Sequence, residues 1–355
     1  MSNRCVHGGI YSVDPDLVKL DFSSSVNPLG ISKFVLNTIH ENIDSLSSIY
    51  PDPKCSELKK GILEYLNLDR DSDWINVGNG ATEIIHNFAR AFVRKRVVIP
   101  IPTFCEYEYA SRLMNAKITF VHMKNLTMDT ESILGKAKNA DVIYLCNPNN
   151  PTGILSSNNI RKILESVSKP TIVLLDESFI ELVTNRGKSD SMLDRIEEFD
   201  NVVIIRSLTK SFGLAGLRIG YCICNPKLGR KLSSYQITWN VNGIAQKAAA
   251  CALKDRHHLA MAKALIKRER EYMQSYIRRK AKTFVPIGSN VNFFLIRLKT
   301  IKSTKLRDLL LKRNGILVRD CASFNGLESG QYIRVSVKKH DENARLLQAL
   351  ESIDT

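Results

Sequence analysis

The chain has 355 residues, 44% hydrophobic and 25% charged, an ordinary globular balance, and its 51 basic against 36 acidic residues give a net charge of +15. No apolar run approaches the roughly 18 residues of a membrane span, and the opening MSNRCVHGG lacks the apolar core of a signal peptide, so a cytoplasmic protein with no membrane span is expected. The charge favours anionic partners: nucleic acid, a membrane surface or phosphorylated small molecules.

In chain order, the first feature is RCVHGG at 4–9, a titratable His7 followed by Gly8 and Gly9, which allow a close backbone approach. LDFSSSVNPLG follows, with turn formers behind a short apolar piece, so residues 1–40 read as an arm that contributes to a smaller domain and to the active site. Short apolar runs then recur between helical patterns at 97–100, 118–121, 141–146, 171–175, 202–206 and 218–224. Strands of this kind, separated by helix-length segments, predict an α/β fold with a mainly parallel sheet covered on both faces. This large domain is drawn over 41–243. From 244 to 355 the texture changes to a smaller α+β domain, with strand patterns in NVNFFLIRL, GILVRD and QYIRVSV.

Eight cysteines at 5, 55, 105, 146, 222, 224, 251 and 321 form no CxxC pair and no metal-ligand spacing. They are expected to be free thiols packed as small hydrophobes in a reducing compartment, with no metal site. The densest basic stretch, Lys254 to Lys282, has apolar residues at helical spacing, which reads as a solvated helix face. No zinc finger, RRM signature or aromatic platform supports nucleic-acid binding.

The polar motifs fall just past strand ends, where ligands of such sheets bind. In RSLTKSFGLAGLRIGY, Lys210 follows a strand among small hydroxyls and apolar groups, a setting that favours the neutral, nucleophilic amine. Ser207, Thr209 and Arg218 flank it with groups suited to a phosphate. GNGATE (78–83) is a Gly-rich turn opening a helix, which directs backbone N–H groups at an anion. NPNNPTG follows the strand at 141–146. DESF sets Asp176 behind a buried run, where a carboxylate needs a cation, and PTFCEYEY supplies aromatic rings. A lysine for an aldehyde, an acid for a ring nitrogen, a phosphate cradle and a stacking ring are together what pyridoxal phosphate requires.

On these motifs the chain resembles the fold-type I pyridoxal-phosphate enzymes of the class I/II aminotransferase superfamily over nearly its whole length. The resemblance implies Lys210 as the Schiff-base lysine, Asp176 as the partner of the pyridinium nitrogen, Asn150 on the ring oxygen and Phe104 stacked on the ring. Gly80, Ala81, Thr82, Ser207, Thr209 and Arg218 would hold the phosphate. Tyr50, in IYPDP, would reach the cofactor phosphate of a neighbouring subunit, which implies a homodimer with active sites at the subunit interface. Within the superfamily, the chain is most similar to L-threonine-O-3-phosphate decarboxylases and close to histidinol-phosphate aminotransferases; both take phosphorylated amines. HGG, LDFSSSVNPLG and DESF with Phe179 resemble the decarboxylases, as do WNVNGIAQ and the segment 316–337. On that likeness His7, Gly8, Asn150, Arg319 and Arg334 border the substrate. So does Ser25, which stands where this branch commonly carries asparagine. The expected activity is decarboxylation of threonine phosphate to aminopropanol phosphate for cobalamin synthesis, with histidinol-phosphate transamination as the alternative. A non-catalytic regulator or a nucleic-acid-binding protein on the same fold is the reading from another class.

Overall fold

The computed structural model describes residues 5–185, 187 and 190–354. After a short strand β1 (Leu20–Asp21), seven strands build the large sheet: β2 (Ile75–Gly78), β3 (Arg96–Ile101), β4 (Lys117–His122), β5 (Val142–Cys146), β6 (Ile172–Asp176), β7 (Val202–Ser207) and β8 (Gly220–Ile223). Their spatial order is β2-β8-β7-β6-β5-β3-β4. The pairs β4–β3, β3–β5, β5–β6 and β6–β7 are parallel, while β8 runs antiparallel to both of its neighbours. The sheet is therefore mainly parallel, as the unbroken apolar runs predict.

Side chains alternate across this sheet with the period of two that pleating imposes. Ile143, Leu145, Val173, Leu175, Val202 and Ile204 enter one core. Val142, Tyr144, Leu174, Val203, Ile205 and the cysteines Cys222 and Cys224 enter the other, against Ile84, Ile85, Phe88 and Phe92 of the helix Gly80–Phe92. A strand buried on both faces is apolar along nearly its whole length, which is why these segments read as continuous runs that turn polar only at their carboxyl ends, at Asp176, Arg206 and Ser207.

The smaller sheet contains β9 (Phe284–Pro286), β10 (Phe293–Leu298), β12 (Arg319–Asp320) and β13 (Tyr332–Ser336), all antiparallel, in the order β12-β13-β10-β9. β11 (Ile316–Leu317) leaves this sheet and pairs in parallel with β1, so GILVRD is divided between two partners. Through that pair the N-terminal segment joins the third core, where Phe22 packs with Phe294, Ile316 and Val335. The long basic helix Arg256–Lys280 spans two cores: Leu259 and Ile266 belong to the first, Met273 and Ile277 to the third. Among the described residues, no helix is long and apolar enough to cross a membrane.

Candidate active site

The carboxyl ends of β5, β6 and β7, the start of helix Gly80–Phe92, the N-terminal arm and strands β12 and β13 enclose a cavity of about 440 Å³. Every site residue singled out in the sequence lines it except Gly80 and Tyr50.

Lys210 belongs to the short helix Leu208–Ser211 that follows β7. Burial, and then the charges of Arg334 and Arg218, lower its amine to about 8. Asp176 closes β6 and is buried; desolvation raises its carboxyl, although Ser178 N–H (2.8 Å) and the Tyr107 hydroxyl (2.7 Å) donate to it. Tyr107 was not singled out by sequence. It lies in the helix Glu106–Leu113, buried and stacked on Tyr144 at 5.1 Å, and its hydroxyl fixes the carboxylate. Phe104 lines the cavity three residues earlier, edge-on to Tyr107 at 5.8 Å.

The helix Gly80–Phe92 has no side-chain cap on its first amides, so Ala81 and Thr82 open the cavity wall with donors and the positive end of a helix dipole. Gly80 shapes this wall from behind. At φ +79° it is in the region glycine favours, and a Cβ there would meet Arg218 Nη2 at 2.7 Å. Ser207 and Thr209 share a hydrogen bond of 2.6 Å, and both face the cavity.

On the opposite side, Arg334 donates to Asn150 Oδ1 and to Ser23 O, the latter at 2.6 Å. Arg319 donates to Val6 O (2.7 Å) and Ser323 Oγ (2.9 Å), lying over the Phe324 ring. Ser25 is buried, and its hydroxyl is engaged with Ser336 Oγ at 3.0 Å. The arm is seated tightly: a Cβ on Gly8 would stand 2.6 Å from Ser23 O, and Gly9 N–H donates to Ser23 Oγ at 2.7 Å. His7 Nε2 lies 2.8 Å from Glu106 Oε1. Further on, Asn27 N–H donates to Lys210 O at 2.9 Å, tying the arm to the lysine loop.

The free-thiol expectation is corrected at two positions. Cys5 and Cys105 are joined in a disulfide, with Cα atoms 5.5 Å apart, because the arm folds back across the start of helix Glu106–Leu113. The other six cysteines are free and buried. A ring nitrogen of His7 lies within 4.8 Å of both bridged sulfurs, a convergence that no local Cys/His spacing could reveal. Tyr50 sits outside the cavity, 78% exposed and stacked on Trp239 at 4.5 Å.

The family description "Aminotransferase class I and II" matches residues 18–350. The chain belongs to that family. A protein of Caldanaerobacter subterraneus, provisionally named a threonine-phosphate decarboxylase, is 36% identical to this class I/II enzyme over 98% of the chain and 93% of its own length. The crystal structure of a histidinol-phosphate aminotransferase from Clostridium acetobutylicum superposes with a TM-score of 0.87 at 33% identity, covering 94% of this chain and 99% of that one. An L-threonine-O-3-phosphate decarboxylase from Porphyromonas gingivalis superposes with a TM-score of 0.83 at 27% identity, with the same coverage. Class I/II enzymes depend on pyridoxal phosphate, and the cavity suits it. Asp176 is buried and raised by desolvation, so a protonated ring nitrogen beside it would stabilise its carboxylate. The uncapped helix start and Arg218 provide for a phosphate, and Lys210 provides an amine poised near neutrality.

Proposed function

We propose that this enzyme decarboxylates O-phosphothreonine to (R)-1-aminopropan-2-yl phosphate, a step of cobalamin biosynthesis. The observation that carries this reading is the arm: His7 and Gly8 line the cavity beside Arg319, which grips the arm through Val6 O at 2.7 Å. Three cationic or hydrogen-bonding anchors, His7, Arg319 and Arg334, then face the cavity opposite Lys210, enough for a phosphate and a carboxylate together.

Pyridoxal phosphate, when bound, supplies an aldehyde for the substrate amine and a ring that takes up the electron pair of the breaking bond. Lys210 would hold the cofactor and later move a proton. Asp176, held by Tyr107, would keep the ring nitrogen protonated, and Asn150, held by Arg334, would face the ring oxygen. Phe104 would stack on the ring, and Ala81, Thr82, Ser207, Thr209 and Arg218 would hold the phosphate. The anchors His7, Arg319 and Arg334 would fix how the substrate lies against the cofactor and so which of its Cα bonds is broken. Anchors that present the Cα–carboxylate bond would give decarboxylation, and anchors that present the Cα–H bond would give transamination. Phe179, which lines the cavity and carries no hydroxyl, supports the decarboxylase reading.

Histidinol-phosphate transamination is the second reading, favoured by the TM-score of 0.87 to the Clostridium enzyme. The two separate in one assay. O-phosphothreonine alone should release CO₂ and aminopropanol phosphate, whereas turnover only of histidinol phosphate with 2-oxoglutarate would overturn the proposal.

A homodimer is proposed with it. Phe34, Ile49, Tyr50, Ile237 and Trp239 are all exposed apolar side chains, at 46–78%, and a second copy covering them would bring Tyr50 to the partner's cofactor phosphate. The six buried free thiols suit the cytoplasm, and the Cys5–Cys105 bond is the feature that pulls the other way.

A further inference from the structure

We propose that Glu106 is a positioning residue for substrate binding: it clamps the His7 ring through Nε2, so that Nδ1 is the atom the arm offers to the substrate's phosphate. The inference rests on the reading of His7 as a phosphate contact.

Glu106 opens the helix Glu106–Leu113, and its side chain is only 7% exposed although it carries a carboxylate. Both oxygens are used: Oε1 lies 2.8 Å from His7 Nε2 and Oε2 lies 2.9 Å from His86 Nε2. Burial alone would raise this carboxyl, yet the hydrogen bonds from the two rings hold it at about 2. It is therefore an acceptor at both oxygens at any working pH, and each facing nitrogen must carry its proton.

For His7 the consequence is geometric. Its ring is half exposed although the arm backbone is held on both sides, so the side-chain contact with Glu106 sets which ring edge faces the cavity. With Nε2–H committed to Glu106, only Nδ1 remains for the cavity that His7 lines. Donation from Nδ1–H requires the ring to carry both protons, and a phosphate oxygen accepting from it would then complete a chain in which an imidazolium lies between two anions, the Glu106 carboxylate and the phosphate. His86, itself three-quarters buried and edge-on to Tyr109 at 5.8 Å, holds the second oxygen and keeps the carboxylate from turning away. A carboxylate behind an imidazole fixes ring orientation in the same way behind metal-bound histidines.

The test is a double-mutant cycle on the holoenzyme with the phosphorylated substrate it turns over, and with inorganic phosphate as a competitive probe. His7→Ala and Glu106→Ala are each expected to raise KM and the inhibition constant for phosphate about tenfold, the loss carried by KM rather than kcat. The double variant should be no worse than His7→Ala, because Glu106 acts through His7. Two outcomes overturn the proposal while leaving the His7 reading intact: a full additional loss from Glu106→Ala in the His7→Ala background, or no loss from Glu106→Ala where His7→Ala shows one. An unchanged KM in His7→Ala overturns the His7 reading itself, and this inference with it. Retained cofactor absorbance shows that the variants are folded. Glu106→Gln, which keeps the volume and must show the same non-additivity, replaces the alanine variant if that one does not fold.

Discussion

Arg319 and Arg334 stand directly opposite each other on the antiparallel strands β12 and β13, and both line the cavity that holds Lys210. Like charges in direct cross-strand register repel. Here each guanidinium is engaged by backbone of the arm, Arg319 by Val6 O and Arg334 by Ser23 O. A bound dianion would relieve the remaining repulsion, and on the function proposed above the pair would receive the anionic groups of the substrate. Removing Arg319 by Arg319→Ala should raise KM for the phosphorylated substrate about tenfold or more, the size of one hydrogen bond to a charged group. Arg334→Ala should lower kcat as well, since Arg334 also holds Asn150. Steady-state kinetics on both variants check this, and an unchanged KM in Arg319→Ala would place the anchor elsewhere.

The lowered amine of Lys210 sets a pH dependence for cofactor capture. Only the neutral amine attacks an aldehyde, and a lysine lowered to about 8 is mostly neutral above that pH. Capture of pyridoxal phosphate by the apoenzyme, followed by visible absorbance, should accelerate as pH rises towards 8 and level off beyond it. Because the Arg218 charge helps to lower Lys210, Arg218→Met should move the rise to higher pH. Lys210→Ala should show no lysine-bound cofactor band and no turnover.

Behind Asp176, a buried ion pair braces the sheet. Arg206 donates to Glu177 Oε2 at 2.8 Å, with both side chains at most 2% exposed, and reaches Glu181 as well. Glu177→Ala would leave Arg206 buried without its main partner, which should cost about 3–5 kcal/mol of folding stability. Equilibrium denaturation of the holoenzyme measures it, and a loss below about 1 kcal/mol would mean that water or Glu181 takes over.

The disulfide predicts a thiol count. Under denaturing, non-reducing conditions six of the eight cysteines should react with a thiol reagent, and all eight after reduction. Cys5→Ser should leave the cofactor spectrum intact while raising KM severalfold, because the arm loses its covalent tie beside Phe104. An unchanged KM would show that the Arg319 and Glu106 contacts seat the arm by themselves.

Much of this was legible in the chain. The runs at 141–146, 171–175 and 202–206 declare buried parallel strands, since a strand covered on both faces is apolar at nearly every position, and Arg206 is accommodated at the end of β7 only because Glu177 pairs with it. Lys210, Asp176 and Asn150 were legible because each follows such a run within a few residues, at the end where a sheet of this kind binds ligands. The antiparallel direction of β8 and the splitting of GILVRD between two sheets were not, because strand order and partner choice depend on packing between distant segments. Tyr107 looked like one more ring in PTFCEYEY until β6 brought Asp176 to its hydroxyl.

The N-terminal arm shows the division most clearly. From the sequence alone came a histidine, a cysteine and two glycines whose small size would allow close approach, which are properties of the residues themselves. That His7 meets Glu106, 99 residues away, that Cys5 meets Cys105, and that Arg319 donates to Val6 O were decided only by the tertiary structure. A local pattern records what a segment can bury against a neighbour of either kind, but the identity of that neighbour is chosen when the whole chain collapses.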